Sequence, residues 1–225
     1  MEILEKKKKN SQEILEKLEK EINIYINELF NDIRRKKITL ENVAQFKRGP
    51  FGGSLKKEIF ISEGYKVYEQ KNAIQNNFDI GRYFIDKSKF EEMKGFSVQP
   101  NDLIISCSGT MGKIAIAPKS IKPGIINQAL LRLTPNQALI HPKYLKHILE
   151  SDEIQTKYFK MINGVGISNV VSVKELKQIK IPLPSISEQL KIVSQIEKIE
   201  SQISVLKGQL EHISAEKTEV LKKYL

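Results

Sequence analysis

From Ile192 onward the apolar residues stand four and three apart: Ile192, Ile196, Ile199, Ile203, Leu206, Leu210 and Ile213. Lys217 interrupts the row once, and Val220 and Tyr224 resume it. A narrow seam kept over more than four heptads is the pattern of a coiled coil, not of a helix lying on a broad core. At about 1.5 Å per residue, Ile186 to Leu225 makes a rod of roughly 60 Å, long enough to be a spacer or an assembly arm. Pro182 and Pro184 stand directly before it; each fixes φ and lacks a donor N–H, so a central strand cannot run through them. Ser185 and Glu188 then form a Ser-x-x-Glu capping box that opens the helix. Leu190, Val193, Ile196, Ile199, Ile203, Leu206, Leu210 and Ile213 are therefore expected to be buried against other helices, at a dimer or partner interface.

A second arm precedes everything else. Leu15, Leu18, Ile22, Tyr25 and Leu29 repeat the helical spacing, and Ile14, Ile26, Phe30 and Ile33 widen the stripe. The run Lys6 to Lys9 reads as a solvated helix end. The expected division is a helical arm over 1–37, a globular domain over 38–184 and a C-terminal coiled-coil helix over 185–225. The two arms are expected to pair antiparallel, or to pair across a dimer.

The globular part alternates short strands and helices. Strands are expected at Val43–Lys47, Lys66–Glu69, Tyr83–Ile85, Asp102–Ser106, Lys113–Ala117 and Ile126–Leu133. Helices are expected at Ser88–Met93, Pro142–Leu149 and Asp152–Met161, with Pro142 in a first turn and His141 at its cap. The class is α+β: one mixed-sheet domain flanked by two long helices.

The net charge is +10, and residues 38–184 carry +8 of it. An excess of positive charge confined to the globular part points to a polyanion as partner. One cysteine, Cys107, excludes an internal disulfide and a Cys-rich zinc site. His141, His147 and His212 are scattered, so neither a metal nor a cofactor is expected. No apolar run approaches 18 residues and the N-terminus reads as charged helix, so a cytoplasmic protein without membrane contact is expected.

Catalytic motifs do not fit. In GTMGKI, Gly109 to Ile114, the pair Gly112-Lys113 suggests a P-loop, but Cys107 stands at the first glycine and Ile114 at the hydroxyl position. GPFGGS, Gly49 to Ser54, lacks dinucleotide-binding spacing. Asp79 with Glu92 and Lys94 gives an alternative reading, a small metal-dependent nuclease. An assembly or inhibitor protein acting through its coiled coil is another.

What remains is a set of loops that join basic and small polar residues. They are Lys47-Arg48-Gly49, Gln70-Lys71-Asn72, Ser106 to Lys113, Asn127-Gln128, and Asn163 to Asn169. Arg and Lys read guanine edges, Asn and Gln read adenine, and hydroxyls serve phosphate or base. Lys47, Arg48, Lys71, Asn72, Ser108, Thr110, Lys113, Asn127, Gln128, Asn163 and Ser168 are the expected contacts to double-stranded DNA.

Five stretches resemble the specificity subunit of type I restriction–modification systems. NDLIISCSGTMGKIAIA (Asn101 to Ala117) is similar to a Gly-Asp-apolar-apolar segment followed by Gly-Thr-x-Gly, with Asn101 in place of the usual glycine. INQALLRLTP (Ile126 to Pro135) is similar to an Asn-Gln-strand-Pro segment. INGVGISNVVSVKELKQIKIPLP (Ile162 to Pro184) resembles the close of a target recognition domain. PLPSISEQLKIV (Pro182 to Val193) resembles the Pro-Leu-Pro-x-x-x-Glu-Gln-x-x-Ile-Val hinge. VAQFKRGPFGG (Val43 to Gly53) resembles the domain's opening. The resemblance implies a non-catalytic, DNA-reading half-subunit with one recognition domain. Such a protein directs an adenine-N6 methyltransferase subunit and a restriction subunit to a bipartite site, one half-site per domain. A twofold homodimer is the expected assembly.

Overall fold

The computed structural model describes residues 2–32, 34–159 and 172–222. The chain divides into two compact units: Met1–Asp32 with Leu190–Leu225, and Ile33–Gln189. These limits fall five residues before Lys37 and five after Pro184.

The first unit is helical. Helix α1 spans Glu2–Asn31, and its apolar stripe buries Ile26, Leu29 and Phe30. Its Lys6 to Lys9 end lies mostly open to solvent. The second arm runs antiparallel to it: the Tyr25 hydroxyl donates to Gln195, and Lys207 pairs with Glu19 at 3.2 Å. On that arm Ile192, Val193, Ile196 and Ile203 are buried, while Ile199, Leu206, Leu210 and Ile213 are half-buried. Leu190 departs from the expected seam and is exposed. Six residues separate it from Ile196, which turns it roughly 120° round the helix from the buried stripe.

In the second unit strand β1, Lys37–Thr39, comes first, followed by β2, Ala44–Arg48, and β3, Tyr65–Tyr68. Helix α2 is Gln70–Ile74, β4 is Phe84–Ile85 and α3 is Lys87–Glu92. Strands β5, Leu103–Ser106, β6, Ile114–Ile116, β7, Gly124–Ile126, and β8, Leu130–Pro135, follow. Helices α4, Pro142–Glu150, α5, Asp152–Ile154, and α6, Val173–Lys177, lead to β9, Lys180–Pro182. Helix α7, Ile186–Lys222, then carries the chain into the other unit. Among the described helices none is long and apolar enough to cross a membrane.

Among the described residues three sheets form: β2-β8-β5-β6, β4-β3-β7 and β1-β9. The first is antiparallel throughout, whereas β3 pairs β7 in parallel and β4 antiparallel, so the sheet is mixed. Successive strand residues point to opposite faces. Tyr68 and Ile126 accordingly join Ile104, Ala115 and Leu130 in one core, while Val67 and Ile125 join Ile85 and Met93 in another. The three-stranded sheet is thus buried on both faces, the second lined by aromatics; Tyr65 stacks on Phe90 at 4.0 Å.

Two of the expected elements take another form. The stretch expected as one strand, Ile126–Leu133, is two strands in different sheets, broken at Asn127-Gln128-Ala129. The helix expected over Asp152–Met161 widens to a π turn at Gln155–Phe159, and its last two residues lie outside the described ones.

The Pro-Leu-Pro stretch closes this unit. Strand β9 ends at Pro182, paired with Lys37, in a ribbon that joins the two ends of the unit. The capping box forms: Glu188 N–H donates to Ser185 Oγ at 3.4 Å and Ser185 N–H to Glu188 Oε2 at 3.0 Å. The next residue, Gln189, is 0% exposed. Its Oε1 accepts from His141 N–H at 2.8 Å, and its Nε2 donates to the carbonyls of Leu139 and Pro184, both at 2.9 Å. His141 is the N-cap of α4 through its backbone, not its side chain.

Candidate nucleic-acid interface

Four loops meet at one end of the two larger sheets. Gly49, just past β2, donates its N–H to Leu130 O at 2.9 Å. Its Cα lies so close to the turn after β7 that an added Cβ would stand 1.8 Å from Asn127 O. Asn127 N–H donates to Tyr68 O at 2.9 Å, and Cys107 N–H to Ala129 O at 2.8 Å. The turn at 127–129 is therefore the hub onto which the other three loops are fastened. Its own shape comes from Asn127 Oδ1, which accepts from Ala129 N–H at 3.0 Å.

The loop between β5 and β6 is braced from inside. Ser106 Oγ donates to Thr110 O at 2.6 Å and accepts from Lys113 N–H at 3.0 Å. Gln155, in the π turn, donates to Gly112 O at 3.1 Å and Leu149 O at 2.8 Å. Gly112 has φ 76°, and a Cβ there would meet Gln155 and Phe159 side-chain atoms at 2.7 Å. Only glycine meets both demands. This bracing holds Ser108, Gly109 and Thr110 up as an exposed tip.

The expected contact residues sort by this geometry. Arg48, Ser108, Thr110, Asn127 and Gln128 come together around the hub, and Lys113 stands exposed at the foot of the tip. Arg48 reaches Cys107, whose thiol is pushed up by burial, with the guanidinium partly opposing that shift. Such a thiol stays protonated and unreactive. Lys71 is bonded to Glu69 at 2.8 Å and is part-exposed. Lys47 projects from the other face of β2, its Nζ 4.5 Å from the centre of the Phe96 ring. Asn72 is 0% exposed. Its Oδ1 accepts from Glu69 N–H at 2.7 Å and its Nδ2 donates to Asn77 O and Ile80 O at 2.9 Å, so it shapes the loop from within. Asn163 and Ser168 lie outside the described residues.

The sequence reading placed Gln70 in a candidate loop but not among the expected contacts, and it missed Gln155. Gln70 lines the tip, its side-chain amide 3.7 Å from where a Cβ of Gly109 would stand. Its Oε1 is buried with no hydrogen-bond partner among the described residues. Its place beside Lys71 was the only signal. Gln155 had none, because its bond to Gly112 spans 43 positions.

Lys66, on β3, is buried and donates to Asp79 O at 2.6 Å. Burial first, then the Lys122 and Lys71 charges, lower its pKa, and the Asp79 charge opposes them. Of the residues in the nuclease reading, Glu92 pairs with Lys89 and Lys94 with Glu91. Among the described residues no three His, Cys, Asp or Glu side chains group as metal ligands.

Gly49→Ala is expected to cost about 1–3 kcal/mol, because the clash is with backbone that cannot swing aside. Denaturant unfolding measures it.

Residues 33–215 match the family model of the type I restriction modification DNA specificity domain. The chain belongs to this family. It is 32% identical over 106 residues to the type I restriction enzyme EcoBI specificity subunit of Escherichia coli, covering 47% of this chain and 22% of that one. It is 26% identical over 165 residues to the putative type I restriction enzyme MjaX specificity subunit of Methanocaldococcus jannaschii, covering 71% and 39%. Its fold matches the crystal structure of the HsdS subunit from Thermoanaerobacter tengcongensis with a TM-score of 0.71 at 19% identity, over 99% of this chain and 54% of that one. The chain thus spans about half or less of the length of these relatives. Asn101 has φ 69°, in the left-handed region. Asparagine is the residue that best replaces glycine in that region.

Proposed function

We propose that this specificity-domain chain reads one half of a bipartite DNA site for a type I restriction–modification assembly, without catalysis of its own. The observation that carries this is the convergence of the loops at Arg48, Gln70-Lys71, Ser108 to Thr110 and Asn127-Gln128 on a unit rich in positive charge. Arg48, Ser108, Thr110, Asn127 and Gln128 are the proposed base-facing group, with Gln70 added to it. Lys47, Lys71 and Lys113 serve phosphate; Asn163 and Ser168 remain in the proposed set. Asn72 is assigned a positioning role. Adenine-N6 methyltransferase subunits and restriction subunits are the proposed protein partners, and the cytoplasm the proposed location.

The chain is proposed to act as a twofold homodimer. The half-buried seam residues Ile199, Leu206, Leu210 and Ile213 support a helical contact with a second copy. Twofold protein symmetry then imposes an inverted repeat on the DNA.

Replacing Arg48, Lys71 and Lys113 together by Ala is expected to weaken DNA binding by the assembled complex. Each lost phosphate contact lowers the slope of log K against log salt by about 0.9, and a lost base reader costs about 1–3 kcal/mol at one sequence position. Fluorescence anisotropy across a salt series measures both. Unchanged affinity and slope would refute the assignment.

A further inference from the structure

Phe51 is 78% exposed, more than any other large apolar side chain described. Leaving a phenylalanine in water forgoes the stabilisation that burying its ring would give. The ring does not sit on a slack loop. Gly49 and Pro50 before it are buried. The Phe51 backbone is extended, with φ −93° and ψ 157°, and a 3-10 turn follows at Gly52–Leu55. Its carbonyl accepts from Ser54 Oγ at 3.1 Å.

Its position is tied to the interface. Gly49 is fastened to the 127–129 hub, and two residues span at most about 7 Å. Phe51 therefore borders the loop cluster, with exposed Lys56 and Lys57 following in sequence. A phenyl ring has no donor or acceptor with which to read a base edge. Its chemistry with DNA is apolar: insertion between base pairs, which unstacks the step and bends the duplex.

We propose that Phe51 is a wedge residue, inserting its ring into the base stack at the border of the half-site. The inference rests on the DNA-reading function above. It adds a source of specificity that no hydrogen bond supplies. Pyrimidine–purine steps unstack most easily, so one such step is expected beside the bases read by the loops.

The test uses the full chain co-purified with its methyltransferase subunit, and a duplex that the wild-type complex selects from a randomised pool. 2-Aminopurine is placed at successive positions. Wild type and Phe51→Leu are expected to raise its fluorescence at one step, and Phe51→Ala is expected to abolish that signal. Affinity should fall about 10- to 100-fold in Phe51→Ala, the range of one lost specific position. A methyltransferase that flips its target adenine adds a second signal, which Phe51→Ala leaves in place. Wild-type affinity in Phe51→Ala would overturn the proposal, and so would lost affinity with an unchanged fluorescence profile. A wild-type complex that selects no sequence from the pool would instead refute the DNA-reading function itself, and the wedge with it.

Discussion

Gln189→Leu is expected to destabilise the unit Ile33–Gln189 by about 3 kcal/mol or more. Leucine fills a similar volume but offers no hydrogen bond. The His141 N–H and the carbonyls of Leu139 and Pro184 would each lose a partner in a buried site. Each such loss costs about 1–3 kcal/mol. Ser185→Ala, in the exposed capping box next to it, should cost only about 1 kcal/mol. Urea unfolding of both variants separates the two roles. Equal, small effects would show that Gln189 is not the lock of this joint.

Asp102→Ala is expected to cost about 3 kcal/mol or more. The carboxylate is 1% exposed, accepting from Thr134 Oγ1 at 2.6 Å and Gln99 N–H at 2.7 Å. Arg132 Nε lies 3.7 Å away, and the Arg132 guanidinium also donates to Ser97 O. Without Asp102 this half-buried cation is left uncompensated, which is the costly way to break such a pair. Burial holds the Asp102 carboxyl above its ordinary pKa, against the hydrogen bonds from Thr134 and Gln99 and the Arg132 charge. The folded chain therefore keeps this proton to higher pH than the unfolded chain. That share of stability is full below the ordinary carboxylate range and is lost as pH rises through the folded value. Asp102→Asn should remove this slope, as thermal midpoints across an acidic pH series would report.

The long elements were legible because their signals are local and repeated. The seam from Ile192, the capping box at Ser185 and the helix opened by Pro142 all state their structure within a few residues. Strands β2, β5 and β6 were legible for the same reason. Strands β1 and β9 were not: each is three residues long, and their pairing joins Lys37 to Pro182 across the whole unit. The break between β7 and β8 was missed because Ile126 and Leu130 are both apolar, and only the Asx turn at Asn127 marks the change of sheet. In the candidate site, residue type located the loops but not which side chains face outward. Lys47 and Arg48 are neighbours in sequence yet leave opposite faces of one strand. Asn72 has the chemistry of an adenine reader, but the loop uses up its amide. Leu190 fits an apolar count and not the angle of the buried stripe.

The most direct measurement is the adenine methylation pattern in cells that carry this chain and the proposed methyltransferase partner but no other specificity protein. Single-molecule sequencing of their DNA reads it base by base. The account predicts N6-methyladenine at an inverted repeat with a spacer of fixed length. Methylation at an asymmetric bipartite site would contradict the homodimer, and methylation without any sequence preference would contradict the reading function.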